Sequence, residues 1–160
     1  MPSIRTTIKP QDISAVRVLT QKAGVFNTEE ITIAEELATE AFEKGAEKSG
    51  YHFVFYEEEG CMLGYTCFGR IPLTESSYDL YWLVVDGAHR NKGIAVRLMT
   101  VSEEAIRSAG GTQVYAETSS CPDYAPARAF YQKAGYAECA CQADFYRKGD
   151  DKVTYVKVLV

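Results

Sequence analysis

The spacing of apolar residues changes period several times along this chain, and each change marks an element. Residues 80–85 form a near-continuous apolar run with the aromatic and β-branched content of a central strand, closed by Asp86-Gly87. From Ile94 the spacing becomes helical: Ile94, Leu98, Val101, Ala105 and Ala109 recur at steps of three or four, which predicts one inner helix face up to Gly110-Gly111. Upstream, residues 3–8 alternate as a first strand. Pro10 and Asp12 then open a helix with Ile13, Val16, Leu19 and Ala23 inward and Gly24 at its end. Asn27-Thr28-Glu29-Glu30 is an N-cap signature. The helix it starts is expected to run to about Ser49-Gly50, with Ala34, Leu37, Ala38, Ala41 and Phe42 on its inner face and an acidic, solvated outer stripe.

Residues 51–56 and 62–69 read as two strands joined by Glu57-Glu58-Glu59-Gly60, and 70–77 as a loop. After the second half's strand at 113–118 come a polar loop, a helix at 125–134 closed by Gly135, and strands at 136–145 and 152–159. This order predicts an α/β fold with a mixed sheet.

Composition narrows the class. With 160 residues, 46% hydrophobic content and no long apolar run, the chain reads as one soluble domain over residues 1–160, without a visible secretory signal and placed in the cytoplasm. A net charge of −5 gives no general attraction to nucleic acid or to an anionic membrane, and weakly suits a cationic partner. Five cysteines, Cys61, Cys67, Cys121, Cys139 and Cys141, lack C-x-x-C spacing, so neither a metal site nor a disulfide framework is signalled and buried free thiols are expected.

Between the central strand and its helix lies the most informative turn. Helix-opening amides have no intrahelical partner and sit at the positive dipole end, so the backbone of Asn91, Lys92, Gly93, Ile94 and Ala95, with Arg90 beside it, is a candidate cradle for a diphosphate. No G-x-G-x-x-G or G-x-x-x-x-G-K-[ST] pattern is present, which argues against a Rossmann or P-loop site. An ordinary strand-to-helix connection with solvated basic residues remains the plain alternative.

The stretch from Val85 to Ala95 resembles the acetyl-coenzyme A motif of the GNAT acetyltransferase superfamily, a hydrophobic strand followed by [R/Q]-x-x-G-x-[G/A], here Arg90, Gly93 and Ala95. Gly87 stands where the family often has proline, and Ala95 where glycine is commonest. Ala127, Phe130, Tyr131, Gly135 and Tyr136 fit a second family segment, A-x-x-[F/L]-Y-x-x-x-G-[F/Y]. The element order agrees with the family over nearly the whole chain. The resemblance therefore implies a GNAT-like fold, a mostly antiparallel sheet of about seven strands flanked by about four helices.

It also implies an activity, the transfer of an acetyl group from acetyl-CoA to a primary amine by direct attack. In that reading the pantetheine arm pairs with the backbone of Leu83, Val84 and Val85, and the diphosphate rests on residues 91–95. Tyr131 matches the tyrosine that protonates the departing thiolate in many family members; its plain alternative is a packing role. For the general base, Glu117, Asp79 and Tyr81 all stay open. The last two share a strand face. Tyr124 replaces an asparagine that contacts the cofactor in the family, and Thr118, Ser119 and Ser120 are candidate substitutes for that contact.

The implied acceptor is a small-molecule or amino-acid-like amine, with a protein or peptide amine as an alternative, no metal is called for, and a homodimer is compatible with the family's habit of pairing through late strands. Two other classes stay in view. One is a non-catalytic acyl-CoA-binding module. The other is an acyl-transfer or hydrolytic enzyme built on Cys121 with His89 or His52.

Overall fold

The structure, a computed structural model, describes residues 1–159. Its elements are β1 (Pro2–Arg5), α1 (Pro10–Lys22), α2 (Thr28–Lys44), α3 (Ala46–Ser49), β2 (His52–Glu58), β3 (Cys61–Arg70), β4 (Ser77–Val85), α4 (Ile94–Ser108), β5 (Gln113–Ser119), α5 (Ala125–Lys133), β6 (Ala137–Arg147) and β7 (Asp150–Val158). Short 3-10 turns occupy Gly87–His89 and Pro122–Tyr124. The seven strands are ordered β1-β2-β3-β4-β5-β7-β6. β4 and β5 run parallel, as a helical crossover requires, whereas the β1–β2, β2–β3, β5–β7 and β6–β7 ladders are antiparallel. The α/β class and the mixed, mostly antiparallel sheet are thus as the sequence predicts; the fifth helix, α3, is a single turn.

The chain divides into two compact units. The first comprises Met1–Gly69 and Tyr81–Ala105, and the second comprises Arg70–Leu80 and the residues from Ile106 onward.

In the first unit, Val16 and Leu19 of α1 and Ala34, Ala38 and Ala41 of α2 bury against Phe53, Phe55, Tyr65, Cys67 and Val84. Small alanines let α2 approach closely. The buried stripe of α2 is Ile31, Ala34, Ala38 and Ala41, which rotates Phe42, expected inside, out to solvent. Asn27 caps α2 as its sequence announces: its side chain accepts from Glu30 N–H at 2.8 Å, and Glu30 Oε1 accepts from Asn27 N–H at 2.9 Å. The helix ends earlier than expected because Gly45 turns to φ 82.

At the start of α1, Asp12 is buried, accepts from Lys9 N–H at 2.7 Å and receives both ends of the Arg5 guanidinium at 2.7 and 2.8 Å. The β2–β3 turn is tighter than its composition suggests. Glu59 and Gly60 both have positive φ, 51 and 78, the signature of a two-residue I′ turn.

α4 buries Ile94, Leu98, Met99, Ser102, Glu103 and Ile106, so Ala105 and Ala109, expected inside, are exposed. The stripe is displaced because Ser102 can enter the interior: its hydroxyl bonds Leu98 O at 2.8 Å and Thr66 Oγ1 at 2.7 Å. Gly64 makes room for the helix; a Cβ there would lie 2.9 Å from Leu98 and 3.1 Å from Ile94.

In the second unit, Val114, Ala116, Val153 and Tyr155 form one side of the β5–β7 ladder, with Tyr131 and Tyr136 packed among them. β6 is exposed along all 11 residues and departs from regular pairing at Glu138/Ala140 and Gln142/Arg147. Bulges of this kind blunt an outer strand. The β6–β7 connection is again shorter than predicted, because Asp150 and Asp151 already belong to β7 and pairing resumes at Arg147↔Asp150.

The thiols differ most from expectation. Cys67 is buried, Cys121 is half-buried, and Cys61, Cys139 and Cys141 are exposed.

Candidate active site

β4 is longer than the apolar run that predicts it, since Ser77 to Leu80 pair with Gln113 to Ala116 of β5. That parallel ladder ends at Leu80↔Ala116, yet β4 continues to Val85. Of its last residues, Val84 is buried and Leu83 and Val85 are half-buried, so their side chains are anchored while their backbone continues beyond the ladder. Tyr81 is exposed and packs its ring edge-on to Tyr51 at 5.5 Å.

The chain then turns on Asp86, whose carboxylate accepts from Ala88 N–H at 2.9 Å. Asn91 and Gly93 adopt left-handed backbone, φ 63 and 77, immediately before α4. The first α4 bond runs from Arg97 N–H to Gly93 O at 3.1 Å, which leaves the amides of Gly93, Ile94 and Ala95 without a helical acceptor. Nothing lies within 4 Å of where a Gly93 Cβ would project. An anion can therefore approach this backbone without meeting a side chain. Arg90 and Lys92 are exposed beside it, and Arg90 spends one donor on Ala23 O at 3.3 Å. The turn fits a diphosphate in open backbone, unpaired amides and adjacent positive charge.

The second unit holds Asp79, Glu117 and Tyr131, whereas Tyr81 belongs to the first. Asp79 is opposite Tyr115, and Glu117 follows two residues later, so both carboxylates lie on one sheet face. Burial and then the Glu117 charge raise the Asp79 carboxyl above the usual aspartate range, with Lys152 opposing them. Glu117 is half-exposed and lies 3.5 Å from Lys152 Nζ. That ammonium also sits over the Phe145 ring, 4.2 Å from its centroid. Sequence reasoning missed Lys152, because its meeting with Glu117 depends on the Ser119↔Lys152 register of β5 and β7.

Tyr131 occupies the other side. Its ring is buried and lies 5.8 Å from Tyr155 and 5.6 Å from Tyr136, and Tyr155 pairs with Ala116, one residue from Glu117. The phenol and the two carboxylates are therefore on opposite faces of β5. Burial alone pushes the Tyr131 hydroxyl above the ordinary phenol range, so it is protonated throughout neutral pH.

The loop after β5 is locked internally. Ser119 Oγ bonds the buried Asp150 carboxylate, Ser120 Oγ accepts from Asp151 N–H at 2.8 Å, and Arg128 Nη1 donates to Ser119 O at 2.6 Å and Cys121 O at 2.9 Å. These bonds occupy the Ser119 hydroxyl and engage Ser120 Oγ as an acceptor, both of which the sequence offered for ligand contact. Tyr124 closes the 3-10 turn at the start of α5, donating its N–H to Cys121 O at 3.1 Å. Arg128 and Asp150 carry no local signal of this role. Among the described residues no group of three or more His, Cys, Asp or Glu side chains is placed to hold a metal.

The family model described as "Acetyltransferase (GNAT) family" matches residues 20–136. A solved GNAT-family protein from Desulfovibrio desulfuricans is 39% identical, with TM-score 0.97 and 100% of both chains covered. The ribosomal-protein-S18-alanine N-acetyltransferase from Escherichia coli is 18% identical, with TM-score 0.77 over 99% of this chain and 94% of that one. An aminoglycoside 6'-N-acetyltransferase complexed with coenzyme A is 16% identical, with TM-score 0.77 over 99% of this chain and 97% of that one. No curated protein sequence matches the chain. The strand that outlasts its ladder, the left-handed turn that opens α4 and these comparisons lead to one statement: the chain belongs to the GNAT family of acetyltransferases.

Proposed function

We propose that this protein, as one GNAT-like domain over residues 1–160, is an N-acetyltransferase that moves the acetyl group of acetyl-CoA to the primary amine of a small-molecule or amino-acid-like acceptor. The observation that carries the proposal is the turn at Asn91 to Ala95, an open left-handed backbone directly before α4, in a chain of this family. The amides of Gly93, Ile94 and Ala95 bind the diphosphate, with Asn91, Lys92 and Arg90 framing it. The backbone of Leu83, Val84 and Val85 pairs with the pantetheine arm, and Tyr124 adds a contact to the cofactor.

Chemistry requires a proton to leave the amine and another to reach the departing sulfur. Asp79 or Glu117 takes the first, with Tyr81 as the remaining candidate, and the Tyr131 phenol supplies the second. The amine and the thiolate are different substituents of one tetrahedral carbon, so the base and the acid are separate groups. A phenol raised by burial remains loaded with its proton and hydrogen-bonds the sulfur as charge develops there. We place the protein in the cytoplasm on its odd, unpaired cysteine set, and allow a homodimer. Among the described residues no helix is long and apolar enough to cross a membrane.

The burial of Tyr131 favours one competing reading, a non-catalytic acyl-CoA-binding module in which that ring only packs. Isothermal titration with acetyl-CoA, repeated on Gly93→Glu, tests the cradle: micromolar binding that the variant loses is expected, and absence of wild-type binding removes the proposal. Turnover with a panel of amines, with Tyr131→Phe as control, separates enzyme from module.

A further inference from the structure

We infer that Lys152 is a specificity residue that matches the acceptor's charge, restricting it to a molecule with a single ammonium group on an apolar body. The inference rests on the proposed acetyl transfer and deepens it, since it takes the face bearing Asp79 and Glu117 as the acceptor's side.

A carboxylate and an aromatic face are the two surfaces that best hold a primary ammonium, one by charge and one by its quadrupole. Both are present here and both already touch an ammonium. Lys152 Nζ lies 3.5 Å from Glu117 Oε2 and 4.2 Å from the Phe145 ring centre, and its side chain is only 16% exposed. Register puts the participants on one face: Asp79 opposite Tyr115, Glu117 two residues on, and Lys152 opposite Ser119 of the same strand and Gln142 of β6. Asp79 and Lys152 sense each other, since Lys152 lowers the carboxyl that burial and Glu117 raise.

The charges on this face then sum in a definite way. Asp79 and Glu117 against Lys152 leave a local net charge of −1, which one acceptor ammonium neutralises, while Asp150, two residues before Lys152 on β7, pairs with Arg147. Glu117 is engaged by Lys152, so Asp79 is the carboxylate left to the acceptor. A second ammonium on the same molecule would reach for Glu117 and meet Lys152 already seated there. Phe145, 53% exposed, offers an apolar surface beside this charge for the rest of the acceptor. Removing the Lys152 charge would release Glu117 and its aromatic neighbour together, creating room for a second ammonium.

The test uses the wild-type protein with Lys152→Gln and Lys152→Arg, each saturated with coenzyme A and titrated with 2-phenylethylamine or 1,5-diaminopentane. The same pair of amines is compared by kcat/KM with acetyl-CoA. The wild type is expected to favour the monoamine by about tenfold or more, Lys152→Gln to shift the ratio toward the diamine by about tenfold, and Lys152→Arg to keep the wild-type preference. Acetyl-CoA affinity is expected to be alike in all three, which separates specificity from damage to the fold. A monoamine-to-diamine ratio that Lys152→Gln changes by less than about twofold overturns the inference, as does a wild-type preference for the diamine. Failure of acetyl-CoA to bind the wild type instead sinks the underlying acetyl-transfer reading.

Discussion

At Gly93 two different penalties can be separated. Its φ of 77 strains any other L-residue, while the space around a Cβ is empty. Gly93→Ala should therefore cost about 1 kcal/mol in unfolding free energy and retain measurable acetyl-CoA binding, whereas Gly93→Glu adds charge repulsion and loses it. Calorimetry and urea unfolding on the two variants separate strain from electrostatics. On the opposite faces of β5, Tyr131→Phe should lower kcat by about 10²-fold or more with little change in acetyl-CoA affinity.

Asp79 gives a signed pH prediction. Its folded-state carboxyl is raised by burial first and Glu117 second, so ionising it costs folding stability. The favourable contribution is complete below the ordinary aspartate value and is lost as pH rises through the raised one. Asp79→Asn should then unfold at a higher temperature than wild type at pH 7 while losing activity if Asp79 is the base. Glu117→Gln should move the acidic limb of kcat/KM to lower pH, because it removes one cause of the rise. A limb that stays in place would show that Asp79 does not govern it.

Among the elements, those whose signals are local were legible. Asn27 and Glu30 announce the reciprocal cap they make, and the polar turn after β4 announces the start of α4. What failed was phase and pairing. Phe42 and Ala105 fit an apolar stripe by spacing, but the helices rotate to bury Ile31 and Ser102 instead. Ser102 can take that place because its hydroxyl donates to Leu98 O and accepts from Thr66 Oγ1, far away in sequence. The polar start of β4 similarly becomes strand through its ladder with β5, and Lys152 acquires a role through register alone. The β2–β3 turn supplies a stability test: Glu59 has φ 51 where asparagine is the favoured residue, so Glu59→Asn should stabilise by roughly 0.5 kcal/mol, read as a raised urea midpoint.

For the molecule as a whole, the thiols provide an unfolding clock. Cys61, Cys139 and Cys141 are exposed, whereas Cys67 is fully enclosed in the α1–α2 core and its thiol is pushed well above the ordinary range by burial. Mass spectrometry during alkylation should show the exposed thiols modified early, with Cys141 slowed because partial desolvation of its sulfur and then the neighbouring Asp151 and Glu138 charges raise its thiol. Cys67 should react at the rate of global opening. Early modification of Cys67 would mean that this core opens locally.

The α4 turn presents peptide groups to its ligand, and every residue type except proline carries the same N–H. Side chains there can drift through generations of substitution while the donor array persists, provided that position 93 keeps a residue at ease with positive φ. A saturation library selected for retention of acetyl-CoA should consequently return broad amino-acid variety at position 92, a narrow set at 93, small residues at 95, and proline nowhere in the turn.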